Sequence, residues 1–495
     1  MKGNLINNNN SVFIGGGVPS ISYLWLLPII DGYCKKNNIK ILIFETCLPK
    51  VITEQHVISK ILKKYYLIFP LKKNLRFYTI FLFFFIKNFK SFFFLVFFKK
   101  KTLLDKKNSN TKTHLYHSMW DTSFQSRGHF LYPNLICKSI SAIKIIYKLH
   151  ISNILIKLNV QTAFIIHSVY HHRMLISKLL DNKINIFIDN GSYLIKCKKL
   201  TNNYNSVEKK YLNRFSMNFF KNKIIQKYWN LRIKGKGGRK ETYMPSYKKI
   251  DAYKDYNCNV MMLPVLKDSQ FLNIDKNRVF ADCIDWLKYT ISVINHSKEK
   301  WIIKFHPSMK EWGEDTKKIV DLIISENFLN YNNIKYATDI SNNEVFLNAK
   351  RIVTFNGTSQ IESGCYGKKP IVISLTDYSY FNSKLVLIPK SLNEYKKLLL
   401  ISSDADIFKL NKKESLTSKF FIFFKENVIS FYKEVGNFTE LRNSPIKIKK
   451  KNFNLVLNNI KKNYKYLFYM GSLLNHDLNI TASKKYIKYL AKNNF

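Results

Sequence analysis

A chain of 495 residues is long enough for two or more domains with their own cores, which excludes a single small module. Its 81 Lys and Arg against 33 Asp and Glu give a formal charge of +48, which excludes an acidic solvating chain and points to polyanions: nucleic acid, an anionic membrane surface or phosphorylated substrates. The excess is mostly lysine, spread along the whole chain beside abundant Asn, Ile, Phe and Tyr, so an AT-rich coding bias is an open second source of it.

Seven scattered cysteines (Cys34, Cys47, Cys137, Cys197, Cys258, Cys283, Cys365) show neither a CxxC pair nor metal-ligand spacing. They read as reduced core residues of a cytoplasmic protein. The first residues, MKGNLINNNN, lack the apolar core of a secretory signal.

Ser11 to Ile14 predicts a strand, followed by Gly15-Gly16-Gly17 and an apolar run from Ile21 to Ile30 that reads as a helix. Ile39 to Phe44 is the next strand, so the chain opens as a Rossmann-like βαβ unit. The three glycines lack dinucleotide spacing. Two readings stay open: Gly16 lines the acceptor side of a cleft, or the run is only a tight strand-to-helix turn.

Residues 77–101, FYTIFLFFFIKNFKSFFFLVFFKKK, hold two apolar blocks interrupted by Lys87, Asn88, Lys90 and Ser91. A spanning helix needs about twenty largely uncharged apolar residues, so this is a poor transmembrane segment. Aromatics flanked by lysines suit a segment docked on anionic lipid; a helical hairpin packed in the core is the other reading.

Residues 105–130 are polar and read as loop, and Leu135 to Leu158 as a long apolar-periodic segment. Ala163 to Ile166 is a strand ending in His167, His171, His172 and Arg173. His171 and Arg173 read as substrate or phosphate contacts rather than zinc ligands, because the glutamate of an HExxH helix is missing. Ile184 to Ile188 is a further strand, ending in Asp189-Asn190-Gly191. A carboxylate at the end of a buried strand is well placed as a general base, and an Asx-turn would use the same residues. Residues 201–256 are polar, aromatic and basic, and read as a mobile loop and linker.

Val260 to Val265 starts a fresh sheet. A helix is predicted around Ala281 to Asn295, and Trp301 to Phe305 is a strand that runs into His306-Pro307-Ser308. Arg351 to Ser374 then reads as strand, loop, helix, turn and strand. Ser359 and Glu362 fit a capping box, Gly367 ends the helix, and Pro370 leads into Ile371 to Ser374. A hydroxyl-rich loop feeding a helix start is a phosphate site in waiting, with Thr358 and Ser359 as its donors. Lys304 and His306, at the end of a strand taken to be its neighbour, would flank the same phosphate. A capped helix in an α/β sheet is the bland alternative.

The expected plan is therefore α/β and GT-B-like: two Rossmann-like domains facing a cleft, with a helical C-terminal tail. Residues 1–256 form the acceptor-side domain, 257–418 the nucleotide-sugar domain, and 419–495 a basic helical tail packing back on both.

Five short stretches in order, LPVLKDSQF (263–271), DWLKYTI (285–291), KFHPS (304–308), TDIS (338–341) and VTFNGTSQIESGCYGKKPIV (353–372), resemble the bacterial capsule polysaccharide biosynthesis proteins. These are GT-B transferases related to the capsular Kdo transferases, and the general pattern is shared with bacterial sialyltransferases. The resemblance covers most of the second domain. It implies Asp189 as the base, although Asn190 stands where those families favour an acidic pair. It also implies His306 on the phosphate of a CMP-linked donor, Thr358 and Ser359 on phosphate, and Glu362 on the ribose. The implied protein is a glycosyltransferase of surface polysaccharide, free of metal and cofactor. Its donor is a nucleotide sugar and its acceptor a glycan or glycolipid, met at the inner face of the plasma membrane. One rival is a CDP-polyol phosphotransferase of the teichoic-acid type, but Gly357-Thr358-Ser359 stands where that family prefers Asp-Tyr-Ser-Ser. A non-hydrolysing nucleotide-sugar epimerase shares the fold, yet its acidic and glycine signatures are not found. A nucleic-acid-binding protein needs a clustered basic face, and the charge here is diffuse.

Overall fold

The computed structural model describes residues 11–15, 22–45, 56–68, 75–98, 111–127, 131–166, 170–189, 194–197, 222–233, 258–268, 279–307, 309, 313–326, 333–337, 341–374, 383–424 and 450–474. The chain is α/β and falls into two compact units, each built on its own mostly parallel sheet.

In the first unit β1 (Ser11–Gly15), β2 (Ile41–Phe44), β3 (Tyr66–Ile68), β4 (Thr162–Ile166), β5 (Asn185–Asp189) and β6 (Leu194–Cys197) form a six-stranded sheet in the order β3-β2-β1-β4-β5-β6. All pairings are parallel except that of β5 with β6. β1, β2 and β4 are buried along their whole length, which is why they read as unbroken apolar runs rather than alternating ones. Phe13, Ile43, Ala163, Ile165, Ile186 and Ile188 meet Leu175, Ile176 and Leu179 of the His172–Asp181 helix in the core of this unit.

The second unit carries β7 (Asn259–Met262), β8 (Trp301–Lys304), β9 (Ile334–Ala337), β10 (Ile352–Thr354) and β11 (Ile371–Val372), all parallel, in the order β11-β10-β7-β8-β9. Here one expectation is corrected. β8 and β10 are not neighbours: β7 lies between them, so their ends are about 10 Å apart, two inter-strand spacings. Sequence proximity cannot say on which side of β7 the chain returns.

The linear division at 256/257 and 418/419 does not match the compact units. Residues 97–140 and 208–424 group with the second sheet, and 1–96, 141–207 and 425–495 with the first. The helix Lys450–Leu473 lies along Ser22–Lys36, and the two backbones nearly touch. A Cβ on Gly32 would come within 1.8 Å of the Phe468 carbonyl oxygen, and one on Gly471 within 1.8 Å of that of Ile29. Buried Asp31 ties the pair to its surroundings, accepting hydrogen bonds from Tyr464 Oη (2.5 Å), Tyr65 Oη (2.6 Å) and Lys64 Nζ (2.7 Å).

Two stretches read as loop contain helices. Thr111–Gln125 is helical despite its polar composition: His117 to Phe124 are buried, and the hydroxyls among them are satisfied on the preceding turn, Thr122 Oγ1 donating to Ser118 O (2.6 Å) and Ser123 Oγ to Met119 O (2.7 Å). Asn222–Ile233 is a helix within the expected linker. The predicted final helix at Lys484 to Lys492 lies outside the described residues.

Candidate functional site

In a doubly wound sheet, ligands bind beyond the strand carboxyl ends where the chain reverses its direction of winding. In the second sheet that switch lies between β7 and β10. Two loops emerge there: Leu263 to Lys267 after β7, and Phe355 to Thr358 after β10.

The β7 loop is fixed from below. Buried Glu314 accepts from the backbone amides of Leu266 (3.0 Å) and Lys267 (2.7 Å) and from Thr316 Oγ1 (2.7 Å). Fully buried Arg127 donates to Leu266 O (3.3 Å), lies 4.0 Å from Glu314 and covers the Phe124 ring at 4.3 Å. Neither residue was singled out in the sequence. They lie far apart along the chain, and Arg127 sits in a polar stretch with no distinguishing pattern.

The β10 loop turns on Gly357, whose φ of +111° is left-handed backbone that suits glycine. Thr354 Oγ1 donates to Asn356 O (3.0 Å), and Ser359 Oγ donates to Thr354 Oγ1 (3.5 Å). The predicted capping box at Ser359 and Glu362 does not form. The N-cap is Thr358, in helical backbone, and its side chain makes no capping bond. Ser359 is already inside the helix, so its hydroxyl turns to Thr354. The α-helical part spans only Ser359–Glu362 before tightening into the 3-10 turn Ser363–Tyr366, which Gly367 ends at φ +78°. True capping boxes occur at Ser341 with Glu344 and at Asn411 with Glu414. The helix is held to the sheet by Gln360, which is buried and donates to Ser374 O (2.6 Å).

Lys304 ends β8 on the far side of β7. It is buried, and burial pushes its ammonium down to about 8, with the Glu362 carboxylate pulling the other way. Glu362, expected at a ribose, is thus electrostatically coupled to Lys304 across the switch point. Burial, and then the charge on Lys304, push His306 down to about 4. In the free protein at neutral pH the His306 imidazole is therefore uncharged, and an incoming anion would favour its proton. Lys304, His306, Ser359 and Glu362 therefore occupy one end of one sheet, with the exposed Thr358 on the loop beside them.

In the first sheet the switch lies between β1 and β4. Gly15 ends β1 where a Cβ would meet the Phe13 ring at 2.3 Å and Glu45 Oε2 at 2.8 Å, so it is needed for close packing. Gly16 lies outside the described residues. Asp189 ends β5, buried and in register with Ile166 of β4. The ring of His171, half-buried, lies 4.1 Å from that of His172 at a 40° tilt, and Arg173 is buried in the helix that follows β4. Glu45, at the end of β2, forms a buried ion pair with Lys148 that sequence reading missed.

No protein-family model matches this chain, and no curated protein matches it. Solved structures give weak likenesses. A UDP-GlcNAc 2-epimerase from Methanocaldococcus jannaschii, solved with UDP-GlcNAc and UDP, is 14% identical over 84% of this chain and 99% of its own, with a TM-score of 0.27. The glycosyltransferase SnogD from Streptomyces nogalater is 8% identical over 84% and 95%, TM-score 0.25. A glycosyltransferase from Rickettsia africae is 10% identical over 93% and 99%, TM-score 0.25. At such scores the likenesses carry no argument, and the description of two Rossmann-like sheets rests on strand order and register.

Proposed function

We propose that this chain is a GT-B glycosyltransferase that moves a sugar from a nucleotide-activated donor, CMP-linked in the first instance, onto a surface-polysaccharide acceptor. The observation that carries the reading is Lys304: a buried lysine whose charge is held down by its surroundings, set at the carboxyl end of the second sheet, across β7 from the Thr358–Ser359 loop. Such a group gains most when an anion arrives, because a phosphate supplies the countercharge that burial denies it.

In the proposed reaction the donor phosphate lies against Lys304, with Thr358 and Ser359 donating hydroxyl hydrogen bonds. As the bond from the sugar's anomeric carbon to the phosphate oxygen breaks, its electron pair and the growing negative charge go to the leaving nucleotide. Lys304, together with a His306 that takes up a proton as the phosphate arrives, stabilises that charge. Asp189 is the proposed base that accepts the proton of the acceptor hydroxyl, whose oxygen forms the new bond to the anomeric carbon.

The test is thermal stabilisation by CMP, CDP, UDP, GDP and ADP. A ligand at about 100 times its dissociation constant adds about 2.7 kcal/mol. One nucleotide is expected to raise the melting temperature in the native chain and not in His306→Ala. Stabilisation by UDP or GDP instead of CMP would change the donor. Indifference to all five would sink the transferase reading.

A further inference from the structure

We infer that the helix pair Leu75–Lys87 and Phe89–Val96 is a docking surface for an anionic lipid bilayer. The pair bends by 69° at its break, where Asn88 Nδ2 donates to Phe84 O at 2.7 Å. One side is anchored in the first unit: Leu95 and Val96 are buried, Phe84 packs 4.8 Å from His150, and Phe81 packs 5.8 Å from Tyr147. The other side is apolar and exposed to solvent. Phe83 is 69% exposed, Ile86 60% and Leu82 56%. Exposed large apolar side chains gathered on one short segment, rather than scattered singly, mark an interaction surface.

Charge selects the occupant. No Asp or Glu occurs from residue 75 to 98, nor in Leu135–Lys157, the helix on which the pair packs. Lys87 and Lys90 are exposed at the bend, among the exposed apolar side chains. A second copy of this chain would bring the same acid-free cationic face and set lysine against lysine. A neutral apolar partner would leave both ammonium groups without countercharge. Anionic headgroups over hydrocarbon satisfy both features at once, with rings at the acyl boundary and lysines at the phosphates. Spanning is disfavoured by dimensions: thirteen helical residues cover about 20 Å against a hydrocarbon core of about 30 Å, and the bend prevents the two helices from adding their lengths.

The experiment is co-sedimentation of the full chain with phosphatidylcholine vesicles, with and without phosphatidylglycerol. Binding is expected to the anionic vesicles, weakened by salt. At about 1 kcal/mol for each surface lysine, the double substitution Lys87→Gln with Lys90→Gln should lower that binding by roughly thirtyfold. Phe83→Ser with Ile86→Ser should abolish it while the melting temperature of the free protein stays unchanged, since both side chains are exposed. Failure to bind anionic vesicles at low salt would overturn the inference. So would binding that neither pair of substitutions alters. A chain that forms dimers lost in Phe83→Ser/Ile86→Ser would assign the face to a second copy instead. Release only by detergent, and not by salt, would show insertion rather than docking.

Discussion

Lys304 carries opposite consequences for stability and for binding. Its folded pKa is about 8 against an ordinary 10.5, so the unfolded chain holds more protons between those values. Stability from this group is full above the unfolded pKa and is lost as pH falls through about 8. Lys304→Met should therefore stabilise the free protein at pH 7, by on the order of 3 kcal/mol. The same substitution should remove the stabilisation by nucleotide. Denaturant titrations with and without the ligand measure both, and a variant that is less stable yet still binds would show that the lysine is structural. In the native chain, nucleotide affinity should fall as pH rises above 8, because the free protein then gives up the lysine proton. Arg351 is a different kind of buried cation. It donates to the carbonyls of Leu399 and Ile401, lies 3.2 Å from Glu299 and stacks over Phe408, so every contact is internal and it belongs to the scaffold.

At the scale of elements, the two glycines where Ser22–Lys36 meets Lys450–Leu473 make a clear prediction. Gly471→Ala puts a methyl group 1.8 Å from a backbone carbonyl, which no rotamer can relieve, so the helices must separate. Overpacking of this kind typically costs about 1–3 kcal/mol. Urea titration should show a loss in that range, and limited proteolysis should then cut first around the 450–473 helix. Eight strands were legible as apolar, largely β-branched runs, and β8 and β10 were placed to within two residues. β3 and β6 were not, because runs of three or four residues give no usable period. Strand identity was readable and strand order was not: β7 between β8 and β10 is a long-range choice that local pattern does not encode. The same limit explains the capping box read at Ser359 and the helix missed at Thr111–Gln125. In the first, the loop geometry of Gly357 moved the helix start by one residue. In the second, the helix buries polar side chains (His117, Ser118, Asp121, Thr122, Ser123), so no apolar period marks its inward face. Of the candidate site, His306 and the Thr358 loop were visible as breaks at strand ends, whereas Arg127 and Glu314 act only through contacts made after folding.

For the molecule as a whole, a charge of +48 on 495 residues means mutual repulsion that folding must overcome. Few carboxylates are present to offset it, so added salt should raise the melting temperature through screening, and a flat or falling response would show that the charges are already locally paired. The interleaved connectivity has a consequence of another kind, in the order of synthesis. Domains generally fold as they leave the ribosome, amino-terminal first. Here the amino-terminal unit includes residues 425–495, and its Ser22–Lys36 helix stays uncovered until 450–473 has been made. The second unit, complete by residue 424, is born whole before the first can close. The first strands translated thus belong to the unit that is finished last. In the interval a nascent chain carries an open apolar helix, and a holding chaperone is the natural company for it.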